Sequence, residues 1–292
     1  MISSEGLRIR NAIVRDGVPE GISIEEEREQ WESYARTLEL APGVRLRPET
    51  IAHVPCLWVE DESSQDQRMV LYIHGGGLIA GSPVTHREFA SRLVKHLGRR
   101  VLLVDYSLAP ERPFPAALHE VYGVYVALLE HVRAEDISLG GESSGAGLGL
   151  ATLIKLRDDG LALPASAFFI SSHFDMTLSG ESMESRKEID PFTSRESLER
   201  AARWYANGAD PRQPLLSPVF ADLRALPPIL LQVGDDEILL SDSVRVAQRI
   251  GEAGGRVELR VWAHMWHTWP MYVGLPEAEE ALEEIHEFLK RC

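Results

Sequence analysis

The sequence has few cysteines and no apolar run long enough to cross a membrane. Only two of its 292 residues are cysteine, Cys56 and Cys292, and their spacing is not that of a paired motif. This excludes a disulfide framework and a cysteine-based zinc site. The early charges at Glu5, Arg8 and Arg10 leave no apolar segment typical of a signal peptide. We therefore expect a cytoplasmic protein that does not span a membrane.

Positive charge is also scarce. The chain has 30 Lys and Arg residues against 45 Asp and Glu residues, which gives a formal net charge of -15. Nucleic acids and anionic membranes are bound mainly through basic patches, so neither is an expected partner. The hydrophobic share of 44% and the charged share of 26% are ordinary for a globular enzyme. We expect one large domain with a small appendage and a small-molecule substrate.

Short apolar runs alternate with helical patterns over most of the chain. Because this alternation is typical of parallel strands joined by helices, it predicts an α/β fold: a mostly parallel sheet with helices on both faces. An antiparallel hairpin is predicted over residues 44–60. The runs that have the composition of buried strands are 69–73, 101–104, 137–139, 165–170, 229–233 and 257–262.

Two segments do not fit this alternation. Residues 1–42 are polar and helical, with Trp31 on an apolar face, and they precede the first strand. Residues 175–214 are too many for a plain connection in an α/β unit. We therefore predict that residues 43–292 form the main domain, that 175–214 are inserted over one edge of its sheet, and that 1–42 pack against it as an addition.

Gly141-Glu142-Ser143-Ser144-Gly145 lies between a strand pattern and a helix pattern. This context is typical of a nucleophile elbow, in which a sharp turn holds a serine in a strained conformation. Glycine is needed two residues before and after that serine because strand and helix come very close. No lysine follows in the spacing of a phosphate-binding loop, so a nucleotide cofactor is not expected.

A nucleophilic serine also needs a base and a carboxylate that orients the base. Loops after two later strands, 234–237 and 264–267, supply three adjacent carboxylates and two histidines, and the residues alone do not choose among them. The chain order of serine, acid and histidine is that of an α/β-hydrolase. The His74–Gly77 loop exposes backbone N–H groups that are suited to an oxyanion hole.

Taken together, these motifs resemble those of the hormone-sensitive-lipase-like (family IV type) carboxylesterases of the α/β-hydrolase superfamily. The resemblance implies an α/β-hydrolase fold with a helical cap, which residues 1–42 and 175–214 would form. It implies no cofactor and no metal, and it makes a homodimer through the last strand an expectation. The segments that carry the resemblance are 74–77, 105–116, 141–145, 234–237 and 265–267.

The resemblance also implies roles for individual residues. Ser143 would be the nucleophile, Asp236 the triad acid and His267 the base. The oxyanion hole would comprise Gly75, Gly76, Gly77 and Ser144, with Gly75 shaping the loop. The expected substrate-binding residues are Leu78, Glu142, His173, Trp204, Tyr205 and Trp31.

The expected function is that of a serine carboxylesterase that hydrolyses short-to-medium acyl esters through an acyl-enzyme on Ser143. A lactone hydrolase with the same triad is the alternative within this class. A non-catalytic small-molecule receptor on the same scaffold would be expected to lack a triad member, and none is missing here. The sequence departs from the family at Leu78, where an aromatic residue is usual, and at Ser172 and His173, where Pro and often Trp are usual.

Overall fold

The computed structural model describes residues 2–16, 22–64 and 66–292. Its strands belong to a single eight-stranded sheet with the order β1-β2-β4-β3-β5-β6-β7-β8. The strands are β1 (Val44–Ile51), β2 (Val54–Asp61), β3 (Met69–Ile73), β4 (Arg100–Val104), β5 (Ile137–Glu142), β6 (Ser166–Ile170), β7 (Ile229–Gly234) and β8 (Val257–Trp262).

Strands β3 to β8 run parallel, whereas β1 and β2 form an antiparallel hairpin that joins β4. All residues of β3, β5, β6 and β7 are buried, as is usual for parallel strands covered on both faces. The predicted mostly parallel sheet is therefore confirmed. β8 forms one edge and leaves Val261 half exposed. A homodimer through this strand stays a prediction.

Helices cover both faces of the sheet. Leu118, Ile154 and Val246 represent the apolar cluster on one face, and Phe89 and Leu282 the cluster on the other. The α-helices of the described residues are α1 (Ser4–Asp16), α2 (Ile24–Thr37), α3 (Pro83–Leu97), α4 (Ala116–Leu128), α5 (Ser144–Asp158), α6 (Ser182–Ser185), α7 (Arg195–Ala206), α8 (Leu240–Glu252) and α9 (Pro276–Lys290). None of these helices has the length and the hydropathy that a membrane crossing requires.

The N-terminal helices pack against the main body, and α2 also contacts the segment inserted after β6. Ser23 caps α2 through a reciprocal bond with Glu26, so the sequence itself marks where this helix begins. Glu27 of α2 then forms a 2.7 Å ion pair with Arg200 of α7. The two segments predicted to form a cap are thus in contact, although residues 17–21 of the first lie outside the described residues.

Candidate active site

Ser143 occupies the turn between β5 and α5. Its backbone has φ 53° and ψ -126°, a strained conformation for a residue other than glycine. At Gly145 an added Cβ would lie 2.2 Å from the carbonyl oxygen of Ile73, so only glycine fits there. The chain therefore makes the elbow that the sequence predicts. The Ser143 side chain lies above the carboxyl ends of the parallel strands, where the loops of an open α/β sheet collect.

A continuous line of hydrogen bonds joins a hydroxyl, an imidazole and a carboxylate. Ser143 Oγ lies 2.9 Å from His267 Nε2, and His267 Nδ1 lies 3.0 Å from Glu237 Oε2. The loops that carry the acid and the histidine pack backbone to backbone, because a Cβ at Gly234 would lie only 2.1 Å from the carbonyl oxygen of Met265. Glycine at this position lets the carboxylate and the imidazole meet.

The carboxylate in this line is Glu237, so the expectation that Asp236 is the partner of His267 is wrong. Asp236 faces the other way and forms a 2.6 Å ion pair with Arg10 of α1. Residues 234–237 form a tight turn closed by the Glu237 N–H donating to the Gly234 carbonyl oxygen, and within it the two neighbouring side chains have different partners. The other candidate base, His264, is exposed and has no bond to Ser143 among those of the described residues.

Asp235, Asp236 and His264 lie close enough together to hold a metal ion. However, the charge of Asp236 is already engaged by Arg10, whose other nitrogen donates to the carbonyl oxygen of Ile189 at 2.8 Å. The arrangement is that of an ion pair between α1 and the loop after β7, residues 235–239, here called the acid loop.

The electrostatics favour His267 as the proton acceptor. Burial lowers the pKa of His267, but its hydrogen bond to Glu237 and the charges of Glu237, Asp190 and Glu142 together outweigh this, so the pKa lies above its ordinary value. Burial raises the pKa of Glu237, and the bonds from His267 and from the Gly234 N–H oppose that rise. Two other histidines near the elbow stay neutral, since burial lowers the pKa of His74 to about 3 and that of His173 to about 4.

The loop after β3 presents free backbone donors. Gly76 and Gly77 have φ of 109° and 68°, which glycine adopts without strain. Their N–H groups have no acceptor among the described residues. The N–H of Ser144 lies in the first turn of α5, where no intrahelical acceptor exists. Gly75 differs, because its N–H donates to the Glu142 carboxylate. Gly75 is therefore not an oxyanion donor in this structure, and it shapes the loop instead.

Glu142 lies beneath this loop and not in a substrate pocket, which corrects the expectation for that residue. Its side chain is buried and also accepts hydrogen bonds from the Tyr72 hydroxyl and, at 2.8 Å, from His86 Nε2. A carboxylate with three partners is fully occupied with holding the loop. Leu78 also faces inward: it is 1% exposed, and its N–H donates to Ser144 Oγ at 3.1 Å.

The other expected pocket residues differ in their contacts, and one of them is bonded to the elbow. His173 is adjacent, since its N–H donates to the Ser143 carbonyl oxygen at 3.0 Å. Trp204 contacts the Arg200 guanidinium, and Tyr205 packs edge-on against Phe114. Trp31 is half-buried against the core. For these three aromatic residues, the described part of the chain gives no bond or ring contact with Ser143 or His267, and their role in binding stays a prediction.

Sequence reasoning missed two residues that contact His267 or Glu237. Phe192, in the inserted segment, stacks on His267 with ring centroids 5.9 Å apart, although its side chain is 49% exposed. Ser171 donates a hydrogen bond to Glu237. Asp190 joins the segment of Phe192 to the loop after β7, because its carboxylate accepts hydrogen bonds from the Phe192 N–H and from the Ile238 N–H. The sequence offers one signal for Phe192, which is an aromatic residue within the predicted insertion.

Comparisons with known proteins identify the fold and the family. A family model described as "alpha/beta hydrolase fold" matches residues 70–271. An acetyl-hydrolase of Streptomyces hygroscopicus is 40% identical over 243 residues, which cover 82% of this chain and 81% of the relative. An esterase of Acinetobacter venetianus is 36% identical over 250 residues, which cover 85% of this chain and 82% of the relative.

Among solved structures, an esterase from the bacterial hormone-sensitive lipase family superimposes with a TM-score of 0.95 at 36% identity. The match covers all of this chain and 99% of the other. Both the sequence relatives and this structure are esterases or acyl hydrolases by name. The protein is therefore a carboxylic-ester hydrolase, and it belongs to the hormone-sensitive-lipase-like esterases of the α/β-hydrolase superfamily.

Proposed function

We propose that the protein hydrolyses short-to-medium acyl esters through an acyl-enzyme on Ser143. The observation that carries this proposal is the bonded line from Ser143 through His267 to Glu237, with separations of 2.9 Å and 3.0 Å. These separations are within the reach that proton transfer requires. The proposed triad is thus Ser143, His267 and Glu237.

In the acylation step, Ser143 Oγ attacks the ester carbonyl carbon while His267 Nε2 accepts the hydroxyl proton. Glu237 holds Nδ1–H and stabilises the imidazolium that forms. The N–H groups of Gly76, Gly77 and Ser144 would donate to the oxyanion, and each such donor contributes about 3 kcal/mol to the transition state. His267 then gives its proton to the leaving alcohol, and the acyl group remains on Ser143.

In the deacylation step, His267 takes a proton from a water molecule as that water attacks the acyl carbon. The same donors stabilise the second oxyanion. Collapse of this intermediate returns the proton from His267 to Ser143 Oγ and releases the carboxylic acid. No cofactor is needed in either step, since every proton is exchanged among serine, histidine, water and the alcohol.

We propose that residues 1–42 and 175–214 form a cap that limits the length of the acyl chain. In support, an added Cβ at Gly77 would lie 2.9 Å from the Ala201 Cβ of α7, so this helix touches the oxyanion loop. Phe192 of the same segment covers one face of His267. One relative is named acetyl-hydrolase, and acetyl is a small acyl group.

The proposal is tested with p-nitrophenyl esters of increasing acyl length and the S143A variant. We expect the highest kcat/KM for short-to-medium chains and a loss of kcat on the order of 10⁴-fold or more in S143A. A fluorophosphonate probe should label Ser143 in the wild type, which mass spectrometry of the peptide would identify. Wild-type turnover by S143A, or labelling of another residue, contradicts the proposal. A preference for lactones over linear esters contradicts the substrate class alone.

A further inference from the structure

Ser171 directly follows β6 and is completely buried. Its backbone has φ 50°, in the left-handed region that residues other than glycine rarely adopt. The backbone N–H donates to the Gln232 carbonyl oxygen at 2.8 Å, which continues the pairing of β6 with β7 by one residue. The chain thus holds a serine in a strained conformation directly after β6 and beside β7.

The Ser171 hydroxyl makes two bonds, and their directions are fixed. The Thr268 N–H can only donate, so Ser171 Oγ accepts from it at 2.9 Å. The one hydroxyl proton is then free to go to Glu237 Oε1, which lies 2.7 Å away. Thr268 is the residue after His267 in the loop that follows β8. The Ser171 hydroxyl therefore connects the acid loop with the loop that carries His267.

These bonds determine which carboxylate oxygen faces the histidine. Oε1 of Glu237 accepts from Ser171 and, at 2.6 Å, from the Gly234 N–H. Both donors lie on one side of the carboxyl group, so Oε2 is left for His267 Nδ1. Removal of the hydroxyl would leave the Thr268 N–H without the acceptor it has here, and Oε1 would keep one of its two donors, the Gly234 N–H.

We propose that Ser171 is a positioning residue for the ester hydrolysis, acting through Glu237 and the peptide that follows His267. Its hydroxyl bonds to Glu237 and the Thr268 N–H, and the described residues give it no hydrogen bond to Ser143. This inference rests on the proposed triad. A purely structural serine would affect stability and leave turnover per folded molecule unchanged, whereas a positioning serine lowers kcat and leaves KM nearly constant.

The test uses two variants that differ in their effect on the backbone. S171A removes the hydroxyl and keeps the strain at φ 50°, whereas S171G removes both, because glycine adopts this φ without strain. We expect kcat on p-nitrophenyl acetate to fall about 10- to 100-fold in both variants, the size of the loss of a hydrogen bond to a charged group. KM should change by less than about twofold, and S171G should unfold at a temperature no lower than that of S171A.

The matched control is S172A. The neighbouring Ser172 Oγ is also buried but has no hydrogen-bond partner among the described residues. S172A should keep the wild-type kcat. Wild-type kcat in S171G, or an equal loss in S172A, overturns the role of Ser171. Turnover by S143A would instead overturn the proposed triad, so the two failures are distinguishable.

Discussion

Asp236 and Glu237 are neighbouring carboxylates that face opposite sides of the loop after β7. Glu237 is completely buried and bonds to His267, Ser171 and the Gly234 N–H. The Asp236 side chain is 17% exposed, and its partner is Arg10 of α1. The two residues share a charge and differ by one methylene group. Their surroundings therefore decide which one bonds to the histidine and which one pairs with the helix.

On its inner side the loop holds a carboxylate in a fixed orientation towards His267, and on its outer side it is attached to α1 by an ion pair. On the inner side, both Glu237 oxygens have fixed donors, and water has no access to the carboxylate. On the outer side, the Arg10 guanidinium bridges Asp236 and the carbonyl oxygens of Ile189 and His264. An ion pair near solvent contributes little to stability, whereas a buried charge that loses its partner is costly. Substitutions on the inner side should therefore mainly lower kcat, and substitutions on the outer side should mainly affect stability.

The largest expected difference is between E237Q and D236N. In E237Q an amide N–H can face His267 Nδ1, which would move the ring proton to Nε2 and prevent this atom from accepting the Ser143 proton. We expect kcat on p-nitrophenyl acetate to fall on the order of 10³- to 10⁴-fold. In D236N we expect kcat within about threefold of the wild type. A large loss in D236N together with an active E237Q would reverse the assignment of the acid.

A smaller effect is expected on the outer side from R10A. Loss of the guanidinium removes an ion pair and two bonds to carbonyl oxygens, so the free energy of unfolding should fall by about 1–2 kcal/mol. The kcat per folded molecule should stay within about threefold of the wild type. Urea unfolding and the ester assay measure the two quantities.

The control for R10A is R8A on the same helix. Arg8 is paired only with Glu5 among the described residues, and both are solvent-accessible. R8A should therefore change neither stability nor turnover measurably. A loss of kcat in R10A as large as that in E237Q would show that the outer side also directs the base, contrary to the distinction drawn above.

The sequence predicted the parts of the site that depend on local pattern. Apolar runs located the strands, and the glycines around Ser143 reflect close contacts that only glycine permits. The choice between Asp236 and Glu237 depends on which side of a loop faces inward, and a run of three acids contains no periodicity from which to read it. The family resemblance assigned the acid to Asp236, which is the neighbour of the carboxylate that bonds to His267.

The expectations for Glu142 and Leu78 failed for a related reason. Both lie next to segments of the proposed active site, but their side chains point into the molecule, where Glu142 bonds to the Gly75 N–H and Leu78 joins the core. Proximity in sequence does not give the direction of a side chain. The contact of Phe192 with His267 was not predictable either, because it joins an insertion to a loop 75 residues further along, and only the tertiary fold brings them together.

The most direct test of the central claim is an NMR titration of the His267 ring. Protein labelled with ¹⁵N in its histidine rings would be titrated as wild type, D236N and E237Q, with an H267A sample to assign the signal. Burial lowers the pKa of His267, and Glu237 raises it by its hydrogen bond and its charge. We predict a pKa above the ordinary histidine value in the wild type and in D236N, and a lower pKa in E237Q, where burial acts unopposed by Glu237. A fall in D236N with no change in E237Q would contradict the account.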